Sequence, residues 1–374
     1  MTDRAERAAM RRHRTSAAVW TILLAAGFAW GGWQLCRAGS DALPARRAAW
    51  LDGSAGRALG ALLKLPAQGA VDTVGAALRY RLLGDAGEQV ALGCPQWMFY
   101  RDGFRPQPGV GADVLGERLR LMRYWTRQLR ARQIAVLVVA VPDKSRIEAA
   151  HLCGQPVARP MRERLDVWQQ ALSEEGVPFV DLRGTLAGRA QPVFFRTDVH
   201  MNAYGAALAA QAVASAALPL LGGAKGAQSF HVEGSGQPQP RMGDLIELSG
   251  LARARPGWRP ELERVAPLRI EPVRGGGLLD DGPPVEVLLA GSSNGRRSSF
   301  AERLGMGLGR EVWNVSIDGG QFGKALIAAM NARATWPSTV RLVIWEFSEY
   351  ALSLPLTDDE KAALRAIAHD GHPA

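Results

Sequence analysis

Val285-Glu286-Val287-Leu288-Leu289-Ala290-Gly291-Ser292-Ser293-Asn294-Gly295 reads as a buried strand, Val285 to Ala290, running straight into a tight turn. A helical pattern follows from Ser298 to Leu308. A strand that passes through a short turn into a helix is the repeating unit of a parallel sheet covered on both faces. The alternation extends in both directions. Upstream, the pattern predicts a helix from Val114 to Arg132, a strand from Ile134 to Val141, a helix from Met161 to Ser173, a strand from Val177 to Leu182 and a helix from Tyr204 to Leu218. Downstream it predicts a strand from Val312 to Ser316, a helix from Phe322 to Ala334 and a strand from Arg341 to Phe347. The fold class is α/β. Between Leu220 and Pro284 the chain is rich in Gly, Pro and Arg and shows no firm core element, which reads as a solvated excursion with a lid or glycan-binding surface as the alternative.

Sheets of this kind collect reactive groups at the carboxyl ends of their strands, where a tight turn exposes a serine and the following amides can face an oxyanion. Serines and glycines also fill ordinary strand-to-helix loops, so the turn alone does not decide the chemistry. The segment Phe194-Phe195-Arg196-Thr197-Asp198-Val199-His200-Met201-Asn202-Ala203 supplies what a serine nucleophile requires. A carboxylate two residues before an imidazole, just ahead of a helix, can orient the ring and stabilise its protonated form. The same spacing suits a helix-start loop in which Asp198 or Asn202 caps the helix and His200 packs. Together the two segments bring nucleophile, base and orienter to one sheet edge as Ser293, His200 and Asp198, with Ser292 as the neighbouring alternative.

The formal net charge of +9 divides unevenly, because residues 1–14 hold five arginines against Asp3 and Glu6, or +3, which leaves +6 for the rest. That excess suits an envelope surface or an anionic glycan, and the absence of a basic run with interleaved aromatics excludes a nucleic-acid partner. From Thr15 to Leu35 no side chain is charged, and a helix of that length spans about 30 Å of hydrocarbon. The arginines before it place the N-terminus in the cytoplasm by the positive-inside rule, and Trp20, Trp30 and Trp33 suit interfacial anchoring. An uncleaved signal anchor fits this stretch better than a cleaved signal peptide, whose apolar core is shorter. Cys94 and Cys153 are the two cysteines of the exported part; a disulfide and a pair of buried free thiols are both open. The histidines lack the ligand spacing of a zinc site, so no metal is expected, and no cofactor is called for. Asp143, Lys144 and Arg146 read as an ion-paired structural corner, and Trp97, Phe99 and Tyr100 as core aromatics.

Several blocks in order resemble the alginate O-acetyltransferases of the AlgX/AlgJ type, an SGNH-hydrolase-like family of bacterial exopolysaccharide acetylation. The blocks are Cys94 to Asp102 (CPQWMFYRD), Val139 to Ile147 (VAVPDKSRI), Phe195 to Ala206, Gly243-Asp244-Leu245, Leu289 to Ser293 and Val343 to Phe347 (VIWEF). The resemblance implies an SGNH-hydrolase-like three-layer parallel sheet with circularly permuted motif order, since the chain order here is Asp, His, Ser. It implies Ser293 as nucleophile, His200 as general base and acid, and Asp198 as its orienter. Oxyanion or substrate contacts are expected from the Ser293 N–H, Asn294 and the loop Asp318-Gly319-Gly320, whose glycine amides can approach a developing oxyanion closely.

The expected organisation is a cytoplasmic basic segment (1–14), a transmembrane anchor (15–36), a stalk (37–88), the acetyltransferase domain (89–352) and a polar tail (353–374). The expected function is transfer of acetyl groups through a serine acyl-enzyme to hydroxyls of an extracytoplasmic polysaccharide. A membrane-bound O-acyltransferase partner would supply the acyl group, and the catalytic domain would lie in the periplasm at the bacterial inner membrane. A glycan acetyl-esterase uses the same residues, and a non-catalytic glycan-binding subunit of an export complex is the alternative of another class. A reporter that works only after export, fused at Asp85, is expected to be active. Activity there of a reporter that works only in the cytoplasm would contradict the topology.

Overall fold

The computed structural model describes residues 2–39, 47–51, 53–107, 110–111, 113–234, 236–274 and 284–369, with residues 2–13 described for their backbone alone. The chain divides into two compact units, residues 1–75 and 76–374.

The first unit holds one continuous helix, Thr2–Ala38, whose stretch Arg14–Ala38 is long and apolar enough to cross a membrane. Val19, Trp20, Leu24 and Phe28 on it are exposed. Short helices Arg47–Leu51 and Ser54–Leu62 follow. The second unit begins at Ala76, inside the segment read as stalk, and Ala76, Ala77 and Ala86 are buried in it against Val90, Met98, Leu245 and Ile246.

The second unit is built on a parallel sheet of four strands, β3 (Ala135–Val141), β8 (Val287–Ala290), β9 (Val312–Asn314) and β10 (Leu342–Ser348). Their order is β3-β10-β8-β9, every pair parallel, so the last strand in sequence is central. Strand side chains alternate between two cores, as the pleat requires. Val136, Val138, Val343, Trp345, Phe347 and Leu288 meet the helices Val114–Arg130 and Arg159–Glu174 on one face. Leu137, Val139, Ile344, Leu342, Val287 and Leu289 meet the helices Ala203–Ala217 and Phe300–Leu308 on the other. This is the three-layer SGNH-like arrangement expected.

Two segments depart from the expected pattern. Val177 to Leu182 makes a single parallel bridge, Val138 to Phe179, because Pro178 at the sheet edge has no N–H to continue the ladder and contributes only its carbonyl to Val138 N. The stretch read as a solvated excursion is structured. It pairs β4 (Phe230–Gly234) with β7 (Leu268–Pro272) and β5 (Gln239–Arg241) with β6 (Glu263–Val265), both antiparallel. A short helix, Asp244–Leu248, buries Leu245 and Ile246. Its core partners Val90 and Met98 are more than a hundred residues away in sequence, which is why local periodicity does not reveal them. Residues 275–283 of this stretch and residues 370–374 of the tail lie outside the described residues.

The tail is a helix, Asp358–His369, docked by a fully buried ion pair between Arg118 Nε and Glu360 Oε1 at 3.0 Å. β1 (Val90–Leu92) and β2 (Met98–Tyr100) pair antiparallel, Trp97 and Phe99 fill core, and Cys94 and Cys153 form a disulfide with Cα atoms 5.7 Å apart. Asp143 and Arg146 of the expected corner are ion-paired, with Arg164 between Asp143 and Glu349 and Arg146 on Glu349, whereas Lys144 departs from it and donates to backbone carbonyls instead.

Candidate active site

The loop before the helix Ala203–Ala217 doubles back on itself. Phe194 bridges Met201, Phe195 N donates to His200 O, and Asn202 N donates to Val193 O. Asn202 caps the helix, accepting from Tyr204 N and Gly205 N, which frees Asp198 for another task. His200 N donates to Asp198 Oδ1 at 3.0 Å, and His200 Nδ1 lies 2.6 Å from the same oxygen. On the other side of the ring, Nε2 lies 2.7 Å from Ser293 Oγ. Asp198 and His200 are buried. Burial alone would push the Asp198 carboxyl up, but the His200 hydrogen bond and charge and the Arg241 guanidinium hold it well below the usual carboxylate range. An ionised Asp198 makes Nδ1 the proton donor and leaves Nε2 to accept from the serine hydroxyl.

Ser293 is presented by a turn that Glu346 holds from beneath. Glu346 stands on β10, and its carboxylate accepts from Ser292 N at 2.7 Å, Ser292 Oγ at 2.9 Å and Gly295 N at 3.2 Å. Ser292 thus points down into the sheet and Ser293 up to the imidazole, which separates the two serines of the turn. The approach leaves no room for side chains: a Cβ on Gly295 would sit 2.3 Å from Ser316 Oγ. Ser298 Oγ donates to Met201 O at 2.7 Å and ties this turn to the histidine loop.

The Asp198 loop is held from three directions. Lys144 Nζ donates to the carbonyls of Met98, Arg196 and Asp198 at 2.6 to 2.9 Å, and burial pulls its pKa down to about 7 against the pull of Asp198 and Glu263. Glu263 of β6 accepts from Arg196 N, Thr197 N and Thr197 Oγ1. Gly243 packs so closely that a Cβ there would lie 2.1 Å from Thr197 O, and Asp244 N donates to Asp198 Oδ2 at 3.2 Å. Arg241 Nη1 forms an ion pair with Asp198 Oδ2 at 2.5 Å. Asp198, His200 and Asp244 bring donor atoms within 4.8 Å of one another, as metal ligands would, but the carboxylate oxygen left over by His200 is already answered by the Arg241 cation.

A family model described as SGNH hydrolase-like domain, acetyltransferase AlgX, matches residues 90–349. The chain belongs to this family. It is 27% identical over 288 residues to a probable alginate O-acetylase AlgJ of Azotobacter vinelandii, covering 75% of this chain and 74% of the relative. The O-acetyltransferase domain of Pseudomonas putida AlgJ shares the fold, with a TM-score of 0.62 and 24% identity over 74% of this chain and 98% of that one. Pseudomonas aeruginosa AlgX shares it with a TM-score of 0.57 and 20% identity, over 74% of this chain and 64% of that one.

Within this member of the AlgX family, Asp198, His200 and Ser293 come together as the sequence predicts. Asn294 turns inward: its Nδ2 donates to Ser348 Oγ at 2.9 Å, and it lines a cavity of about 20 Å³ with Lys144 and Tyr350. Gly320 lies beside Gly291 but donates its N–H to Ile317 O, and Gly319 stands next to it at positive φ. The Ser293 N–H has no partner among the described residues. Sequence reasoning missed Arg241 and Glu263, two charged residues in an Arg-rich stretch with nothing to single them out. Glu346 carried a readable signal, an ionisable residue inside the apolar run Leu342 to Phe347.

Burial raises the Glu346 pKa from 4.5 to about 7, overriding the Ser292 and Gly295 hydrogen bonds and the His200 charge, which lower it. A folded value above the unfolded one means that the contribution to stability is complete below pH 4.5 and is lost as pH rises through about 7. Glu346→Gln removes that titration. The stability of the wild type relative to Glu346→Gln, read by unfolding the two proteins side by side, is expected to fall by on the order of 3 kcal/mol from about pH 4 to about pH 8. A difference that stays constant over this range would contradict the buried, proton-binding Glu346.

Proposed function

We propose that this chain is an O-acetyltransferase that carries acetyl groups on Ser293 to hydroxyls of an extracytoplasmic, alginate-like polysaccharide. The unbroken contact from Asp198 through His200 to Ser293 Oγ carries this reading, and family membership supports it. In the first half-reaction, His200 Nε2 takes the Ser293 proton as Oγ attacks the acetyl carbonyl of the donor; the donor's leaving oxygen departs with that proton, leaving acetyl-Ser293. In the second, His200 takes the proton of a sugar hydroxyl, whose oxygen attacks the acetyl carbonyl, and returns it to Ser293 Oγ. Asp198 stabilises the imidazolium in both. The Ser293 N–H is the oxyanion donor of this mechanism; Asn294, Gly319 and Gly320 border the turn, Asn294 and Gly320 with their donors engaged within the fold.

The helix Arg14–Ala38 serves in this reading as a single-pass inner-membrane anchor with residues 89–352 as the periplasmic acetyltransferase domain. A membrane-bound O-acyltransferase is the partner that supplies acetyl groups, and tethering keeps the enzyme near donor and polymer.

The full-length protein in detergent, given 4-nitrophenyl acetate with and without an oligosaccharide acceptor, is expected to acetylate the acceptor. Ser293→Ala and His200→Ala are each expected to lower turnover by on the order of a million-fold and Asp198→Asn by about 10⁴-fold. Ser292→Ala, which removes the hydroxyl's hydrogen bond to Glu346 and its acceptance from Asn294 N, is expected to cost less than about tenfold. Loss in Ser292→Ala with retention in Ser293→Ala would overturn the assignment of the nucleophile. Release of acetate with no acceptor product would identify a hydrolase instead.

A further inference from the structure

The His200 imidazole faces two carboxylates on the side away from the serine. Asp198 Oδ1 is 2.6 Å from Nδ1, and Asp244 Oδ2 is 3.5 Å from the same nitrogen. Two negative charges at that distance favour the imidazolium, and an imidazolium cannot take the Ser293 proton. Something must offset the second charge for the ring to serve as a base.

Arg241 is placed to do so. Its Nη1 lies 2.5 Å from Asp198 Oδ2, and its guanidinium lies over the Phe195 ring at 4.2 Å, which fixes its position on an apolar platform. Lys144 and Glu346 also act on the pair, Lys144 through its attraction to Asp198 and Glu346 through the His200 charge, but both are unchanged in the variants compared below and their hydrogen bonds go elsewhere. Lys144 is spent on three backbone carbonyls, and Glu263 on the Arg196 and Thr197 amides. Glu346 lies beneath Ser292, Arg196 Nη2 donates to Glu261 O, and Arg297 is 3.6 Å from Asp318. Arg241 and Asp244 both come from the stretch around β5 and the helix after it, so one insertion carries both the added charge and its counterweight.

We propose that Arg241 is a positioning residue that offsets the two-carboxylate face of His200 and holds Asp198 on Nδ1, so that the ring can act as the base toward Ser293, with Asp244 acting in the opposite sense. This rests on the triad reading and adds to it how the Asp–His pair is tuned. Removing Arg241 makes the pair easier to protonate, so activity begins at higher pH. Removing the Asp244 charge does the reverse.

The test is the pH profile of kcat/KM for 4-nitrophenyl acetate with the full-length protein. In Arg241→Met the acidic limb is expected to move up by about one pH unit, and in Asp244→Asn down by about half a unit. The double variant is expected to fall between the two, about half a unit above the wild-type limb. Arg241→Lys, which keeps the charge, is expected to hold the limb near its wild-type place. An unmoved limb in Arg241→Met, or a shift of Asp244→Asn in the same direction, would overturn the proposal. Should Arg241→Met fail to fold by circular dichroism, the Asp244→Asn limb decides, and a limb left in place there overturns it. Ser293→Ala separates the two levels: activity that survives it sinks the triad reading, whereas Ser293-dependent activity with unmoved limbs sinks the Arg241 proposal alone.

Discussion

Parallel pairing of Val287–Ala290 with Leu342–Trp345 is the constraint on which the site depends. It brings the two strands side by side at one edge of the sheet, so that Glu346, one residue past the stretch of β10 that pairs with β8, comes to lie under the turn that follows β8. There the carboxylate accepts both Ser292 donors, which would otherwise be buried without an acceptor, and shares the Gly295 amide with Ser292 O. Ser292 is pulled inward and Ser293 is left facing His200. A shift of one residue in the register would present the wrong serine, or none.

The second half of the site is held by charge rather than by the sheet. The loop from Arg196 to His200 belongs to no ladder, and its backbone is satisfied by Lys144, by Glu263, by Met98 N on Arg196 O and by Leu245 N on Thr197 O. Buried charges of this kind are tolerable only when each is paired or hydrogen-bonded. Arg241 on Asp198 completes that condition and couples the insertion to the Asp198 loop. The insertion is thereby a structural part of the candidate site and not an appendage to it.

The strands and helices of the sheet were legible because each carries a full period of buried residues, as in β10, where all seven residues are buried. Ser293 was legible because it stands in the turn at the end of a buried strand, and Asp198 and His200 because a carboxylate two residues before an imidazole stands just ahead of a helix. Val177 to Leu182 was over-read, since its apolar content is that of a strand while Pro178 limits it to one bridge. The insertion was under-read. Its strands are short, mostly exposed on both faces and paired across about 20 to 40 residues, and the side chains that matter, Arg241, Asp244 and Glu263, are defined by contacts with distant loops. Local pattern carries no information about such contacts.

The central claim is that an acetyl group resides on Ser293 between donor and acceptor. Rapid quenching of the full-length protein during turnover of an acetyl ester, followed by peptide mass mapping, tests this directly. The account predicts one acetyl group on the peptide containing Ser293, localised to that residue, lost on addition of acceptor and absent from His200→Ala. An enzyme that turns over without acetyl-Ser293, or that carries the acetyl group on Ser292 or another residue, would contradict it.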